Sequence, residues 1–417
     1  MKPLGREWTF SRRDLLRGAS AAALWLSLGS TLAAACSQFQ ATGTSPVLAR
    51  PGHPIMWPIH TGNRPIASNL SPERGATLQI LTWDQYINPS VLKEFGKVFD
   101  CRVEVSTFFD MDEGVTKLRA GVVAADVFCP SVDVVDQLIL AGDLRPLNHS
   151  YIPNLQANVW PEFLSPFYDV ESRYSIPYAV YTTGIAWRND LVSVDVASLA
   201  NPYEIFWDPA NKGYVYVLDD YREGLSMALL RRGISDLNTG DTSEIARAGR
   251  DLVDLVNQVS IKWSLDDYTL LPEGQAKVHQ AWSGDMIEAP YYGKDSANAT
   301  AQTLSYWFPR NHRGAVGSDT LVVPARARNP VLAHEFLNFI LEDPIAIQNF
   351  GWVGYQQPVK AITTEAVLKE FPWVGQPNMA QCLVTPQDLA LGYQELQLTP
   401  QVDVLWQLAW DQFQAGG

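Results

Sequence analysis

Between Leu78 and Phe99 the apolar positions change period once. Leu78, Ile80 and Leu81 form a short apolar run suited to a buried parallel strand, whereas Val91, Leu92, Phe95, Val98 and Phe99 recur at helical spacing. Asn88 is a good N-cap for that helix, and Pro89 stands where a first-turn proline is tolerated. The alternation continues with a predicted strand over 102–107, a helix over 115–120, a strand over 125–129 and a helix over 134–141. Farther on, a strand over 214–218 leads into helices over 222–231 and 243–259, and a strand over 320–324 precedes a helix over 330–341. Such alternation predicts an α/β fold with largely parallel sheets. The body from residue 76 onward exceeds the size of about 250–300 residues at which single cores stop growing, so two lobes are expected.

The stretch ahead of the body has a different composition. Ser11-Arg12-Arg13-Asp14-Leu15-Leu16 resembles a twin-arginine export signal, and a weakly apolar segment follows it. That segment ends in Leu32-Ala33-Ala34-Ala35-Cys36, similar to a lipoprotein cleavage site whose cysteine is acylated, with Ala33 where leucine is usual. Residues 1–36 are therefore expected to be a signal, and the protein to be exported and tethered to the membrane through lipid on Cys36. Residues 37–75, rich in Pro, Gly, Ser, Thr and Asn, read as a tether, although Ile55-Met56-Trp57-Pro58-Ile59 is apolar enough to pack on the body.

Charge narrows the class of partner. The chain carries a net charge of −14, and the leader holds Lys2, Arg6, Arg12, Arg13 and Arg17 against Glu7 and Asp14, so the mature body stands at about −17. An acidic surface disfavours nucleic acid and concentrates cations. Solubility alone also accounts for many of these charges. Beyond Cys36 the cysteines are Cys101, Cys129 and Cys382, an odd number. Cys101 opens one predicted strand and Cys129 closes the next, which puts them at opposite ends of a parallel sheet, too far apart to bridge. No metal-ligand spacing, GxSxG elbow, HExxH motif or glycine-rich phosphate loop occurs, so neither a cofactor nor a resident metal is expected and nothing supports an enzyme.

Carboxylates and rings recur where strands end. Trp83, Asp84 and Tyr86 follow the first strand, at the carboxyl-end corner where α/β sheets take ligands, and two rings with a carboxylate suit an organic cation. Both rings suit ordinary packing as well. Ser131 and Asp133 follow the strand over 125–129, Trp282 closes an apolar segment before a glycine turn, Asp319 stands immediately before the strand over 320–323, and Tyr355 lies in a turn with two amides. Asp220 and Glu223 open a helix at capping-box spacing, which by itself accounts for both.

The segments 78–95, Ala125-Asp126-Val127-Phe128-Cys129-Pro130-Ser131, Tyr174-Ser175-Ile176-Pro177-Tyr178, Leu218-Asp219-Asp220-Tyr221-Arg222-Glu223, 319–324 and Val353-Gly354-Tyr355 together resemble the periplasmic spermidine/putrescine-binding proteins of ABC importers, in order and from about residue 76 to the end. The resemblance implies a two-lobed periplasmic-binding-protein fold, each lobe a mostly parallel sheet flanked by helices, with a polyamine in the cleft between them. It further implies an aromatic box of Trp83, Tyr86, Trp282 and Tyr355, ammonium-binding carboxylates at Asp220, Glu223 and Asp319, a polar contact at Ser131, and a glutamine near the C-terminus, for which Gln397 is the candidate. Two positions depart from the family: Gly317 replaces a ring, and Asp133 replaces a tyrosine. With Asp84 beside Trp83, these changes argue for a more charge-dominated cation. Each lobe would combine two stretches, 76–182 with 318–363 and 185–315 with 366–417, crossing near 183–184, 316–317 and 364–365, where Gly184 and Gly317 could absorb hinge rotation. The implied partners are the polyamine and the permease subunits, the protein itself being a monomer. Tyr291-Tyr292 resembles the paired tyrosines of ferric-ion-binding proteins of similar architecture, which gives one alternative; a secreted hydrolase is the other.

Overall fold

The computed structural model describes residues 47–416; the leader, Cys36 and residues 37–46 lie outside the described residues. Ten strands form one mixed sheet: β1 (Thr77–Trp83), β2 (Arg102–Phe108), β3 (Val127–Phe128), β4 (Ser175–Arg188), β5 (Val215–Val217), β6 (Lys262–Trp263), β7 (Val278–Trp282), β8 (Leu304–Trp307), β9 (Ala315–Val322) and β10 (Tyr393–Gln394). Their order is β2-β1-β3-β9-β4-β7-β5-β6, with β8 also on β4 and β10 on β9. The outer groups are parallel, as the alternating pattern predicts: β1 with β2 and β3, and β5 with β6 and β7. The centre is antiparallel. There β4 runs against β9 and then against β7 and β8.

That central strand organises the molecule. β4 is 14 residues long and buried along almost its whole length, and SIPYAVYTTGIAWR accordingly shows no strict alternation of apolar and polar residues. Its first part, Ser175 to Thr183, pairs with β9; its second part, Thr183 to Arg188, pairs with β7 and β8. One strand thus serves two groups of strands, which share one large apolar cluster and each add a smaller one. Phe108, Phe128, Val135 and Leu138 pack on one side, and Leu225, Leu252, Trp406 and Phe413 on the other.

Two glycines at the changeover make room for neighbours. A Cβ on Gly184 would lie 2.3 Å from the Trp307 carbonyl oxygen and 2.7 Å from the Tyr306 ring, and one on Gly317 would lie 2.2 Å from the Tyr181 ring. Neither glycine has positive φ. Close approach, more than freedom to rotate, accounts for both.

The element boundaries differ from the sequence reading in one place that matters for chemistry. Asp319 lies inside β9, paired with Ala179, and does not stand before the strand. Residues 315–318, in which Val316 is the one strongly apolar side chain, are extended because β4 offers them a full antiparallel edge. The free thiols Cys101, Cys129 and Cys382 are unpaired, and Cys101 and Cys129 flank opposite ends of parallel strands.

Residues 48–75 are held against the body along their length, so this part of the expected tether is a packed strap. Trp57 is 3% exposed and sits among Leu81, Phe108 and Phe128. Its indole N–H donates to the Tyr168 carbonyl at 2.7 Å, Arg173 donates to the Trp57 carbonyl at 2.8 Å, and the Tyr174 hydroxyl donates to the Pro58 carbonyl at 2.8 Å. Trp57→Ala is therefore expected to lower unfolding stability by about 3–5 kcal/mol in denaturant titration, as a core tryptophan does. A loss within about 0.5 kcal/mol, normal for a surface position, would contradict the packed strap.

Candidate functional site

The site grows from the corner after β1. Gln85 takes the left-handed conformation, φ 52°, which turns the chain sharply after Trp83 and Asp84. Asn88 then caps the helix Pro89–Phe99 by accepting from the Ser90 N–H at 2.8 Å. The turn leaves Tyr86 buried inward and Trp83 half-buried, its ring tilted on Phe108 at 4.7 Å and its indole N–H buried without an acceptor. Trp83 is both a packing residue and a residue with an open donor. Asp84 is partly exposed beside it.

From Tyr86 the rings run in series. The Tyr86 hydroxyl donates to Asp319 Oδ2 at 2.6 Å, and its carbonyl accepts from the Tyr178 hydroxyl. The Tyr86 ring meets Tyr355 edge-on at 5.2 Å, Tyr355 meets Tyr181 at 5.8 Å, and Tyr181 meets Trp282 at 6.2 Å. The Trp282 indole N–H then donates to Glu223 Oε1 at 2.7 Å, joined there by the Thr183 hydroxyl at 2.9 Å. A belt of four rings therefore ends on a carboxylate at each side. Asp319, 4% exposed, keeps Oδ1 buried with no donor; Glu223, 7% exposed, keeps Oε2 in the same condition.

The remaining predicted residues fall around this belt. Asp220 Oδ1 accepts from the backbone N–H groups of Arg222 at 2.8 Å and Glu223 at 3.2 Å, capping the helix Tyr221–Arg231. Half of the capping reading thus holds. Glu223 turns its side chain to Trp282 and Thr183 and does not return to the cap. Ser131 donates to Asp133 Oδ1 at the start of the helix Val132–Leu140, and its backbone bridges to Asp319. Gln397 donates to the Leu398 carbonyl at 3.1 Å and leaves its side-chain oxygen buried without a donor. Tyr291 and Tyr292 diverge: the first packs edge-on against Trp373 and the second against Tyr268, each at 5.0 Å.

Burial dominates the electrostatics. It pushes Asp319 up to about 7 despite the Tyr86 hydroxyl, and pushes Asp220 up to about 6. Glu223 is raised well above the carboxylate range, first by burial and then by Glu395. Burial also lifts Asp133, with Arg222 as the main opposing influence. The guanidinium of Arg222, 5% exposed, spends its donors elsewhere, on the carbonyls of Leu396 and Leu237 at 3.0 Å and on Asn238 Oδ1 at 2.8 Å.

Three kinds of site residue escaped the sequence reading. Tyr181 occupies the space above Gly317, so the ring absent from position 317 is supplied from the facing strand; the Tyr181–Gly317 pairing is visible only in the strand register. Glu395, pushed up to about 7 by burial, follows β10, whose last residue pairs with Val316. That pairing, with the bonds of Arg222 to the Leu396 carbonyl and of Asn238 to Gln394 and Leu396, brings it beside the site. Asp285 and the fully buried Asp267 raise the Tyr355 hydroxyl after burial itself, and Asp285 raises Asp267. Asp285 had a local signal, standing three residues after Trp282 on the first turn of the helix Ser283–Glu288. The whole arrangement suits an elongated guest with apolar length along the rings and positive charge toward the carboxylates.

Residues 90–373 match a family described as bacterial extracellular solute-binding protein. The chain belongs to this family. It is 30% identical over 282 residues to the spermidine/putrescine-binding periplasmic protein 1 of Haemophilus influenzae, spanning 67% of this chain and 74% of the relative. It is 29% identical over 283 residues to the spermidine/putrescine-binding periplasmic protein of Escherichia coli, spanning 68% and 77%. The solved spermidine/putrescine ABC transporter substrate-binding protein of Streptococcus pneumoniae superposes with a TM-score of 0.63 at 22% identity, over 82% of this chain and 99% of that one. Its fold is the two-lobed one expected from the sequence.

The raised carboxyls give a testable pH signature. An unfolded carboxyl ionises near about 4, whereas Asp319 in the fold holds its proton to about 7. Between those values the folded chain binds more protons, so this group's contribution to stability falls as pH rises through the window. Scanning calorimetry from pH 4 to 8 should find Asp319→Asn gaining melting temperature relative to the parent as pH rises. A parent-to-variant difference that stays constant with pH would contradict a protonated Asp319.

Proposed function

We propose that this chain is the substrate-binding component of an ABC transporter and captures a polyamine outside the cytoplasmic membrane. The observation that carries the reading is the ring belt ending on Asp319 and Glu223, each with a buried carboxylate oxygen that no donor of the protein meets. Protonated amines spaced along methylenes supply what those oxygens lack, while Trp83, Tyr86, Trp282 and Tyr355 cover the methylenes and face the ammoniums, each contact contributing roughly 0.5–2 kcal/mol. Asp84, Ser131, Asp133, Asp220 and Gln397 complete the contact set, to which Tyr181 and Glu395 are added. The names of the relatives, which bind spermidine and putrescine, support the same ligand class.

The lobes of this reading are 76–182 with 318–363 and 185–315 with 366–417. The division of β4 between two sets of partners at Thr183 supports the first crossing, and the antiparallel pairing of Thr183 with Ala315 and Thr182 with Val316 supports the second. The third, near 364–365, falls at the start of the helix Thr364–Glu370, capped by Thr363. Closing the lobes on the guest expels water and strengthens each charge pair. The protein acts as a monomeric binder and not an enzyme, delivers its guest to permease subunits, and is exported by the twin-arginine route to be anchored through Cys36.

Titration calorimetry with spermidine and putrescine tests the reading. Trp83→Ala should weaken binding about 10- to 100-fold, and the melting temperature of the ligand-free protein should change far less than for loss of a core tryptophan. Intact affinity in a badly destabilised variant would make Trp83 core alone. Asp220→Asn separates capping from binding, because asparagine caps as well as aspartate but carries no charge. It is expected to lose affinity while melting normally. Wild-type affinity in Asp220→Asn would leave that residue a cap only.

A further inference from the structure

The strap touches both lobes at one point, and that point lies beside the ligand site. From Ile55 to Gly75 its bonds are made to residues of the first lobe: the Ile55 N–H donates to the Phe167 carbonyl at 2.9 Å, Trp57 to Tyr168, and Asn63 to the Leu144 carbonyl at 2.6 Å. Its N-terminal tip behaves differently. The Ala49 N–H donates to Asp136 Oδ2 at 2.7 Å, on the helix Val132–Leu140 of the first lobe. The next residue, Arg50, donates through Nη2 to the Gln397 carbonyl at 2.7 Å, in the stretch assigned to the second lobe. Ala49 itself is 2% exposed and packs with Val132 and Tyr168 from one lobe and Leu396 from the other. A tight turn, in which the His53 N–H donates to the Arg50 carbonyl at 2.8 Å, brings the chain back to the first lobe.

We propose that Ala49 and Arg50 form a bolt that holds the two lobes closed over the ligand site, fixed to the first lobe and released from the second when the cleft opens. The asymmetry of the contacts gives the direction of release. The first lobe holds the strap through buried Trp57 and several hydrogen bonds, whereas the second lobe holds the tip through one guanidinium hydrogen bond and the contact of Ala49 with Leu396. Contacts made only in the closed state shift the opening equilibrium by their own free energy and slow escape of whatever is enclosed. The tip also bears on the two elements that carry Asp133 and Glu395, so the bolt and the site respond to the same motion. Burial lowers the Arg50 guanidinium from its ordinary value, and its hydrogen bonds go to the carbonyls of Ala49 and Gln397, each at 2.7 Å.

This inference rests on the two-lobed, ligand-trapping reading, and two readouts keep the two apart. In stopped-flow tryptophan fluorescence with spermidine as probe, Arg50→Ala in the full chain should raise the dissociation rate about tenfold. In small-angle X-ray scattering of the ligand-free protein, Arg50→Ala should show a larger radius of gyration than the parent. Asn63→Ala, which removes a strap bond within the first lobe only, should change neither. Parent-like dissociation and an unchanged ligand-free radius in Arg50→Ala would overturn the bolt. If the parent binds no spermidine, the polyamine reading fails, and the scattering comparison alone then decides the bolt.

Discussion

The structure depends on buried carboxyl groups whose second oxygen no donor of the protein meets. Asp319 and Glu223 each keep one oxygen out of water and unpartnered, Glu395 does the same, and the buried Arg222 directs its terminal Nη groups to carbonyls and an amide. An uncompensated buried charge costs about 3–5 kcal/mol, and burial accordingly raises Asp319, Glu223 and Glu395 above the ordinary carboxylate range. A bound cation removes that penalty. On the proposed function, the carboxyls whose burial costs stability as pH rises would discriminate in favour of a charged guest over a neutral chain of the same shape.

The backbone is arranged to bring those carboxyls to one place. β4 and β9 deliver Thr183 and Asp319 from the centre of the sheet, and β7 delivers Trp282 to Glu223. Gly317 and Gly184 let Tyr181 and Tyr306 lie flat against neighbouring strands where any side chain would collide. Tyr181 then closes the ring series between Tyr355 and Trp282. On the proposed lobe division, rings and crossings would be one construction, because β4 and β9 would pass between the lobes and also carry Tyr181, Thr183 and Asp319.

Local signals in the chain were readable; pairings between distant stretches were not. The corner at Trp83–Tyr86, the Asn88 cap and the Asp220 cap each follow from a few neighbouring residues, and the structure contains all three. Glu223 shows the limit. Its spacing from Asp220 satisfies the capping box, but a tertiary partner, Trp282, outcompetes the local one. Residues 315–318 have little apolar pattern of their own, so the sequence puts Asp319 before the strand, and only the edge of β4 makes them extended. Glu395 and Tyr181 were invisible for the same reason, since each enters the site through a strand partner far away in sequence. The composition of residues 37–75 suggested a spacer, whereas Trp57 turns their second part into a strap.

The most direct test of the account counts protons. If cation binding ionises carboxyls that the empty cleft keeps protonated, spermidine titrated into the protein at pH 6 must release protons to the buffer. Calorimetry in buffers of different ionisation enthalpy measures that release, and the account predicts a net release that shrinks toward pH 9. Binding with no proton release at pH 6, or with uptake, would contradict it.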